Sequence, residues 1–192
     1  MEDIITSGIP KSYNQILSKS EEIGFTMTSD LYIGSFLRTL VASKPSGNFL
    51  ELGTGLGLSL SWMIEGMDDN SKVVSVDNDP KLIEIANGFF GQKENVKLVC
   101  ADGNEWILQN SEDKFDLIFA DALPGKFELL EETLELLKSG GYYIIDDLNP
   151  QENWPEGHQQ KVEKLVETLD SRVDLVLTKM NWSTGLILAT KK

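Results

Sequence analysis

The sequence predicts an α/β fold: a doubly wound, seven-stranded, mostly parallel sheet with the last strand antiparallel, and a helical cap at the N-terminal end. Three observations carry that expectation. After residue 46, short apolar runs of strand length alternate with segments of helical period. Glycines crowd the first strand-to-helix turn, in "NFLELGTGLGLS". The last two strand patterns, "VDLVLTK" and "TGLILATKK", are joined only by "MNWS". That link is too short for a crossover helix, so the final strand must run antiparallel to its neighbour. The chain reads as a single domain, 1–192, with a cap over 1–46 and a core over 47–192.

The elements follow in order. Ser12 to Ile23 places Tyr13, Ile16, Leu17 and Ile23 at loose helical spacing. Ser29 or Asp30 caps a second helix that runs to about Ser43, with Leu31, Ile33, Phe36, Leu37, Leu40 and Val41 on its apolar face. "KPSG" then breaks the chain. "NFLEL", "KVVSVD", "VKLVCAD" and "FDLIFAD" read as strands. The helices between them are "GLSLSWMIEGM", "DPKLIEIANGFFG", with Pro80 near its first turn, and the short "GNEWILQN". Lys126 to Lys138 reads as a helix with Leu129, Leu130, Leu134 and Leu137 on one face, ended by Gly140 and Gly141, which open the strand "YYIIDD". A helix from about Glu156 to Leu169 precedes the closing strands, with Val162, Leu165, Val166 and Leu169 as its inner stripe.

Composition limits the partners. The 192 residues carry 31 Asp+Glu against 17 Lys+Arg, a formal net charge of -14. Such a surface repels nucleic acid and anionic membranes. No apolar run approaches the length of a membrane span. The opening "MEDIITSGIP" lacks the basic and apolar regions of a signal peptide, and Glu2 stands where N-myristoylation needs glycine. The expected location is cytoplasmic. The single cysteine, Cys100, excludes an intrachain disulfide and reads as a small core residue at a strand end.

The chemistry gathers at the strand ends, where open α/β sheets bind their ligands. Those ends read Glu51-Leu-Gly53, Asp77, Asp102, Asp121 and Asp146-Asp147. Gly53, Gly55 and Gly57 allow a tight turn and a close approach of a ligand to the main chain. Leu58 stands where a dinucleotide fingerprint needs its third glycine. Asp77 lies about 20 residues on, where an acid accepts ribose hydroxyls. Its other reading is a helix cap, a role that Asp79 before Pro80 fills better. Asp102, followed by Gly103, either holds an adenine edge or caps the helix after it.

With these residues the chain resembles the class I S-adenosylmethionine-dependent methyltransferases, which share a Rossmann-like fold. More narrowly, it is similar to small O-methyltransferases of the catechol and caffeoyl-CoA type. The likeness covers the helical cap, "LELGTGLGLS", "VDNDP", "ADGNEW", "FDLIFADALPGKF", "GGYYIIDD" and "GLILATKK". It implies a cofactor site of Glu51, Gly53, Thr54, Gly55, Gly57, Ser59, Asp77, Asp102, Gly103 and Asp121. Glu51 would orient the loop and help hold the cofactor's amino group. The glycines would lie against the methionine moiety, and Ser59 would contact its carboxylate. Asp77 would take the ribose, Asp102 the adenine side, and Asp121 would sit beside the sulfonium.

The resemblance also implies a divalent cation, magnesium or calcium, on Asp121, Asp146 and Asp147, although an aspartate stands where cation-dependent members carry asparagine; the other reading of Asp146 or Asp147 is a simple loop acid. The family's catalytic lysine falls on Pro124. Lys126, two residues further on, either substitutes for it or is a solvated lysine in a first helical turn. The segment "LNPQENWPEGH" departs from the family's short loop and holds the only histidine, His158. His158 is either the general base or a solvated loop residue. Trp154 either walls an aromatic acceptor or packs the loop. The implied activity is methyl transfer to a hydroxyl of a small acceptor, a phenol among the candidates, with Asp121, Lys126 and His158 as catalytic candidates. A homodimer through the N-terminal segment is a further implication. The rival readings are a non-catalytic S-adenosylmethionine-binding protein, a nicotinamide dehydrogenase, against which Leu58 argues, and, more distantly, an aminopropyltransferase.

Overall fold

The computed structural model describes residues 8–151 and 154–192. The opening seven residues, on which the expectations of no leader and no myristoyl site largely rest, lie outside them. The chain divides into two compact units, Met1–Asp102 and Gly103–Lys192.

In the first unit α1 (Tyr13–Ile23) turns inward Tyr13, Ile16 and Ser20, and ends at Gly24 in the left-handed region. Helix α2 (Leu31–Ala42) starts where Asp30 accepts hydrogen bonds from the Tyr32 and Ile33 amides at 2.8 and 2.9 Å. Strand β1 (Asn48–Leu52), α3 (Leu58–Gly66), β2 (Lys72–Asp77), α4 (Pro80–Phe90) and β3 (Val96–Cys100) follow. The pairs β1–β2 and β2–β3 are parallel. As expected, Asp79 caps α4, accepting from the Lys81 amide at 2.8 Å with Pro80 in the first turn. Helix α3 is buried at every position from Leu58 to Met63. It can lie close to α2 because a Cβ on Gly34 would stand 2.2 Å from the Trp62 ring.

In the second unit α5 (Gly103–Gln109), β4 (Phe115–Ala120), α6 (Leu130–Glu135), β5 (Leu137–Ile145), α7 (His158–Asp170), β6 (Leu175–Met180) and β7 (Leu186–Lys191) follow in order. Strand β5 pairs parallel with β4, and β7 runs antiparallel to both β5 and β6. The strand order is β3-β2-β1-β4-β5-β7-β6, the seven-stranded sheet that the sequence predicts.

Two expectations are corrected. The helix expected over Lys126 to Lys138 shrinks to Leu130–Glu135, and Leu137 and Lys138 belong to β5. Leu137 pairs with Phe115, and the register then shifts so that Leu117 meets Tyr142. A leucine spaced as a helix face therefore serves a strand. Residue Leu129, expected inside that helix, sits before it with φ +50°. Cys100 is exposed rather than a core residue, because β3 lies at the edge of the sheet.

Candidate functional site

The glycine loop is built from the inside out. Glu51 lies within β1 and is fully buried. Ser59 Oγ donates to one of its carboxylate oxygens at 2.6 Å and Ser75 Oγ to the other at 2.5 Å. Burial pushes the Glu51 carboxyl up to about 7; the two hydroxyls pull it down, and the Asp77 charge adds to the rise. Thr54 Oγ1 and Ser75 Oγ share a hydrogen bond of 2.6 Å. Glu51, Thr54, Ser59 and Ser75 thus form one buried network that ties β1, the loop, α3 and β2 together. Glu51 and Ser59 are 0% and 2% exposed and brace the loop from within, the orienting part of the role that the resemblance implies for Glu51.

The loop itself needs glycine. Gly53, Gly55 and Gly57 have φ of 106°, 52° and 91°, a region that side chains rarely adopt. A Cβ on Gly57 would also come within 2.7 Å of Phe90. The Asp77 carboxylate accepts from the Gly55 amide at 2.9 Å through one oxygen and from the Asp79 amide at 2.9 Å through the other. Two lone-pair positions remain for hydroxyl donors. Ala101 N donates to Asp77 O at 3.0 Å, so the chain leading to Asp102 is tied to the end of β2. A bare glycine backbone with an acceptor carboxylate bonded to it fits a nucleoside cofactor whose ribose offers two hydroxyls.

The second cluster lies wholly in the second unit. After β4, residues 121–128 form a knot in which the Lys126, Phe127 and Glu128 amides all donate to Leu123 O, and Gly125 N donates to Glu128 O at 2.7 Å. Tyr143, fully buried in β5, donates its hydroxyl to Gly125 O. A Cβ on Gly103 would meet Pro124 at 2.8 Å, so this glycine serves close packing. The knot carries Lys126 inward. That lysine is 4% exposed, not solvated, and its Nζ donates to Asp146 O at 2.5 Å. Burial draws its ammonium below the usual range, while the carboxylates of Asp121, Asp147 and Asp146 hold it up.

Asp146 is itself buried. Burial raises its carboxyl, against the hydrogen bond that the Thr184 hydroxyl donates. Its Oδ1 also accepts from the Asp147 amide at 2.6 Å, and Asp147 has φ +58°. Gln151 Nε2 donates to Asp147 Oδ1 at 2.7 Å. The turn between β6 and β7 braces this loop, with Asn149 N donating to Thr184 O at 2.7 Å and Leu148 N to Gly185 O at 3.1 Å. His158, the first residue of α7, packs against Trp154 at 4.5 Å and Phe127 at 5.1 Å between ring centroids. Its Nε2 is buried without a hydrogen-bond partner. Burial and the Lys126 and Lys161 charges lower its pKa, partly offset by Asp147.

The structure thus brings Asp121, Lys126, Asp146, Asp147 and His158 into one electrostatic neighbourhood. It does not arrange the three carboxylates as metal ligands. Among the described residues no group of three or more His, Cys, Asp or Glu could hold an ion. The charges of all three carboxylates act on the Lys126 ammonium, which is bonded to the Asp146 carbonyl, and Asp146 Oδ1 is taken twice. A divalent cation at these donors would share the acids with an ammonium and find Asp146 Oδ1 already engaged, a poor fit to a shell of oxygen ligands. Sequence reasoning missed Ser75, Thr184 and Phe127. A serine at a buried position of an apolar strand was the one available signal for Ser75; Thr184 and Phe127 had none.

Comparison with known proteins agrees with this geometry. The model of a methyltransferase-domain family matches residues 43–186. A relative from Mycobacterium ulcerans (strain Agy99), named "Putative O-methyltransferase", is 27% identical over 118 residues, 59% of this chain and 53% of its own length. The chain therefore aligns with about half the length of that curated relative. The fold matches a crystal structure of the O-methyltransferase from Bacillus cereus in complex with SAH, with TM-score 0.81 and 22% identity over 96% of this chain and 93% of that one. It also matches the O-methyltransferase TomG from Streptomyces achromogenes, in complex with SAM, with TM-score 0.81 and 19% identity over 95% and 90% of the two chains. No helix among the described residues is long and apolar enough to cross a membrane.

Proposed function

We propose that this chain, which belongs to the methyltransferase-domain family, is an S-adenosylmethionine-dependent O-methyltransferase acting in the cytoplasm on a hydroxyl of a small acceptor. The observation that carries this reading is the loop of three positive-φ glycines whose main chain is bonded by Asp77 at the end of the next strand. Bound S-adenosylmethionine supplies a methyl group already activated by a positively charged sulfur.

The protein's share is then to bind, align and manage one proton. The glycine backbone and Asp77 hold the cofactor's methionine and ribose ends, and Asp102 lies on the adenine side. Holding the two reactants in line supplies the largest part of the rate gain, on the order of 7–11 kcal/mol for well-oriented pairs. A phenolic acceptor has an ordinary pKa of about 10 and must lose its proton as the new C–O bond forms. His158 takes that proton. The burial and neighbouring positive charges that lower its pKa keep the imidazole neutral near pH 7 and able to accept. Trp154 and Phe127, packed on the imidazole, offer aromatic surface to an acceptor ring. Asp121 and Lys126 act as a charged pair that sets the potential around the reacting oxygen. Dimerisation through the N-terminal segment belongs to the same proposal.

Calorimetry with S-adenosylmethionine and its demethylated product, S-adenosylhomocysteine (SAH), tests the reading directly. Binding of both is expected, and absence of binding at millimolar concentration refutes it. Turnover of a panel of phenols, followed by mass spectrometry, separates an enzyme from a protein that only binds the cofactor.

A further inference from the structure

We propose that the Lys126 ammonium is a built-in cation that stands in for a divalent metal at the ends of β4 and β5, so that methyl transfer by this protein needs no added metal ion. The part concerning catalysis rests on the O-methyltransferase reading; the part concerning the cation rests on the second unit alone.

Three observations carry it. The side chain is 4% exposed, so its charge is balanced by the protein rather than by water. A buried charge costs several kcal/mol unless it is paired and hydrogen-bonded. Here the pairing is at hand: the charges of Asp121, Asp147 and Asp146 all act on this lysine, and the Asp146 carbonyl takes one of its protons at 2.5 Å. The Phe127 ring, with its centroid 5.2 Å from Nζ, adds a further cation-binding face.

The carboxylates are also oriented for this arrangement. Thr184 and the Asp147 amide both donate to Asp146 Oδ1, and Gln151 donates to Asp147 Oδ1. A divalent ion on either Oδ1 would have to displace these donors, and on any of these acids it would meet the repulsion of the ammonium. A lysine contributes one charge with three donors on a flexible stem, whereas a metal imposes a coordination shell. The lysine holds the acids together without demanding that shell. Lys126 is therefore a positioning residue for the acidic cluster.

The test is a Mn²⁺ titration of the full chain, followed by electron paramagnetic resonance of the free ion. The wild-type protein is expected to leave Mn²⁺ free at concentrations that saturate sites of micromolar affinity. In Lys126→Met, which leaves the carboxylates without their cation, Mn²⁺ affinity is expected to rise by about tenfold or more. Circular dichroism and thermal unfolding of the same samples show whether the variant has kept its fold. Turnover by the wild type is expected to be the same in EDTA and in magnesium. The proposal is overturned by micromolar Mn²⁺ binding to the wild type, by activity that requires the metal, or by a folded Lys126→Met variant with unchanged Mn²⁺ affinity. A variant that does not fold leaves the first two measurements decisive. Failure of SAH to bind the wild type would sink the methyltransferase reading and leave the Mn²⁺ result standing.

Discussion

Substituting Glu51 by glutamine should change the way stability depends on pH, and by an amount that the structure sets. The carboxyl is fully buried, with an ordinary value of 4.5 raised to about 7 in the folded chain, mainly by burial. The folded value lies above the unfolded one, so the folded state holds its proton after the unfolded chain has released it. The stabilisation from this proton is therefore complete below pH 4.5 and is lost as pH rises to about 7. At about 1.4 kcal/mol per pKa unit, the loss comes to about 3 kcal/mol. Glu51→Gln has no proton to lose there. Whatever the substitution costs at acid pH, the difference between variant and wild type should move by about 3 kcal/mol in favour of the variant between about pH 4 and pH 8. For a chain of this size that corresponds to about 6–12 °C in melting temperature. Urea unfolding of both proteins across that range is the assay. A difference that stays constant with pH would refute the reasoning, because it would mean that Glu51 has the same proton affinity in both states.

Further predictions follow from the packing and the two clusters. Gly34→Ala puts a methyl group 2.2 Å from the Trp62 ring and should cost about 1–3 kcal/mol or more in thermal or urea unfolding. Asp77→Ala removes the proposed ribose acceptor and leaves the Gly55 amide without its partner; SAH affinity by calorimetry should fall by about tenfold to a hundredfold, and unchanged affinity would count against the cofactor assignment. Under the proposed function, wild-type kcat/KM should rise with pH to a plateau, with a midpoint below the ordinary histidine value of about 6.5. In His158→Gln that limb should vanish and kcat should fall by about 10²–10⁴-fold; an identical profile would remove His158 as the base.

Much of the scaffold was legible because it depends on local pattern. The alternation of strands and helices, the Asp30 and Asp79 caps and the antiparallel final strand each follow from residues within a few positions of one another. The glycine loop was legible because positive φ excludes most other residues. What was misread depends on partners distant in sequence. Leu137 has the spacing of a helix face, but pairing with Phe115 draws it into β5. Cys100 has the sequence of a core strand, yet its strand ends at the sheet edge. Lys126 reads either as a substitute for the family's lysine or as a solvated residue, and only the 121–128 knot, which turns it toward Asp146, 20 positions away, removes the second reading. The second hydroxyl bound to Glu51 was not legible either, because Ser75 lies 24 positions away.

The brace between the β6–β7 turn and the loop after β5 bears on the order in which the protein is made. The Thr184 hydroxyl and carbonyl and the Gly185 carbonyl hold Asp146, Leu148 and Asn149, and a Cβ on Gly185 would strike Asn149 at about 2.6 Å. The glycine loop draws its own network from residues 51–77, which leave the ribosome first. The acidic loop must wait for Thr184 and Gly185 of the β6–β7 turn. During synthesis the network of the glycine loop precedes the brace on the acidic loop, and a ribosome that stops before Thr184 releases a chain in which Asp146 lacks the hydroxyl that holds it.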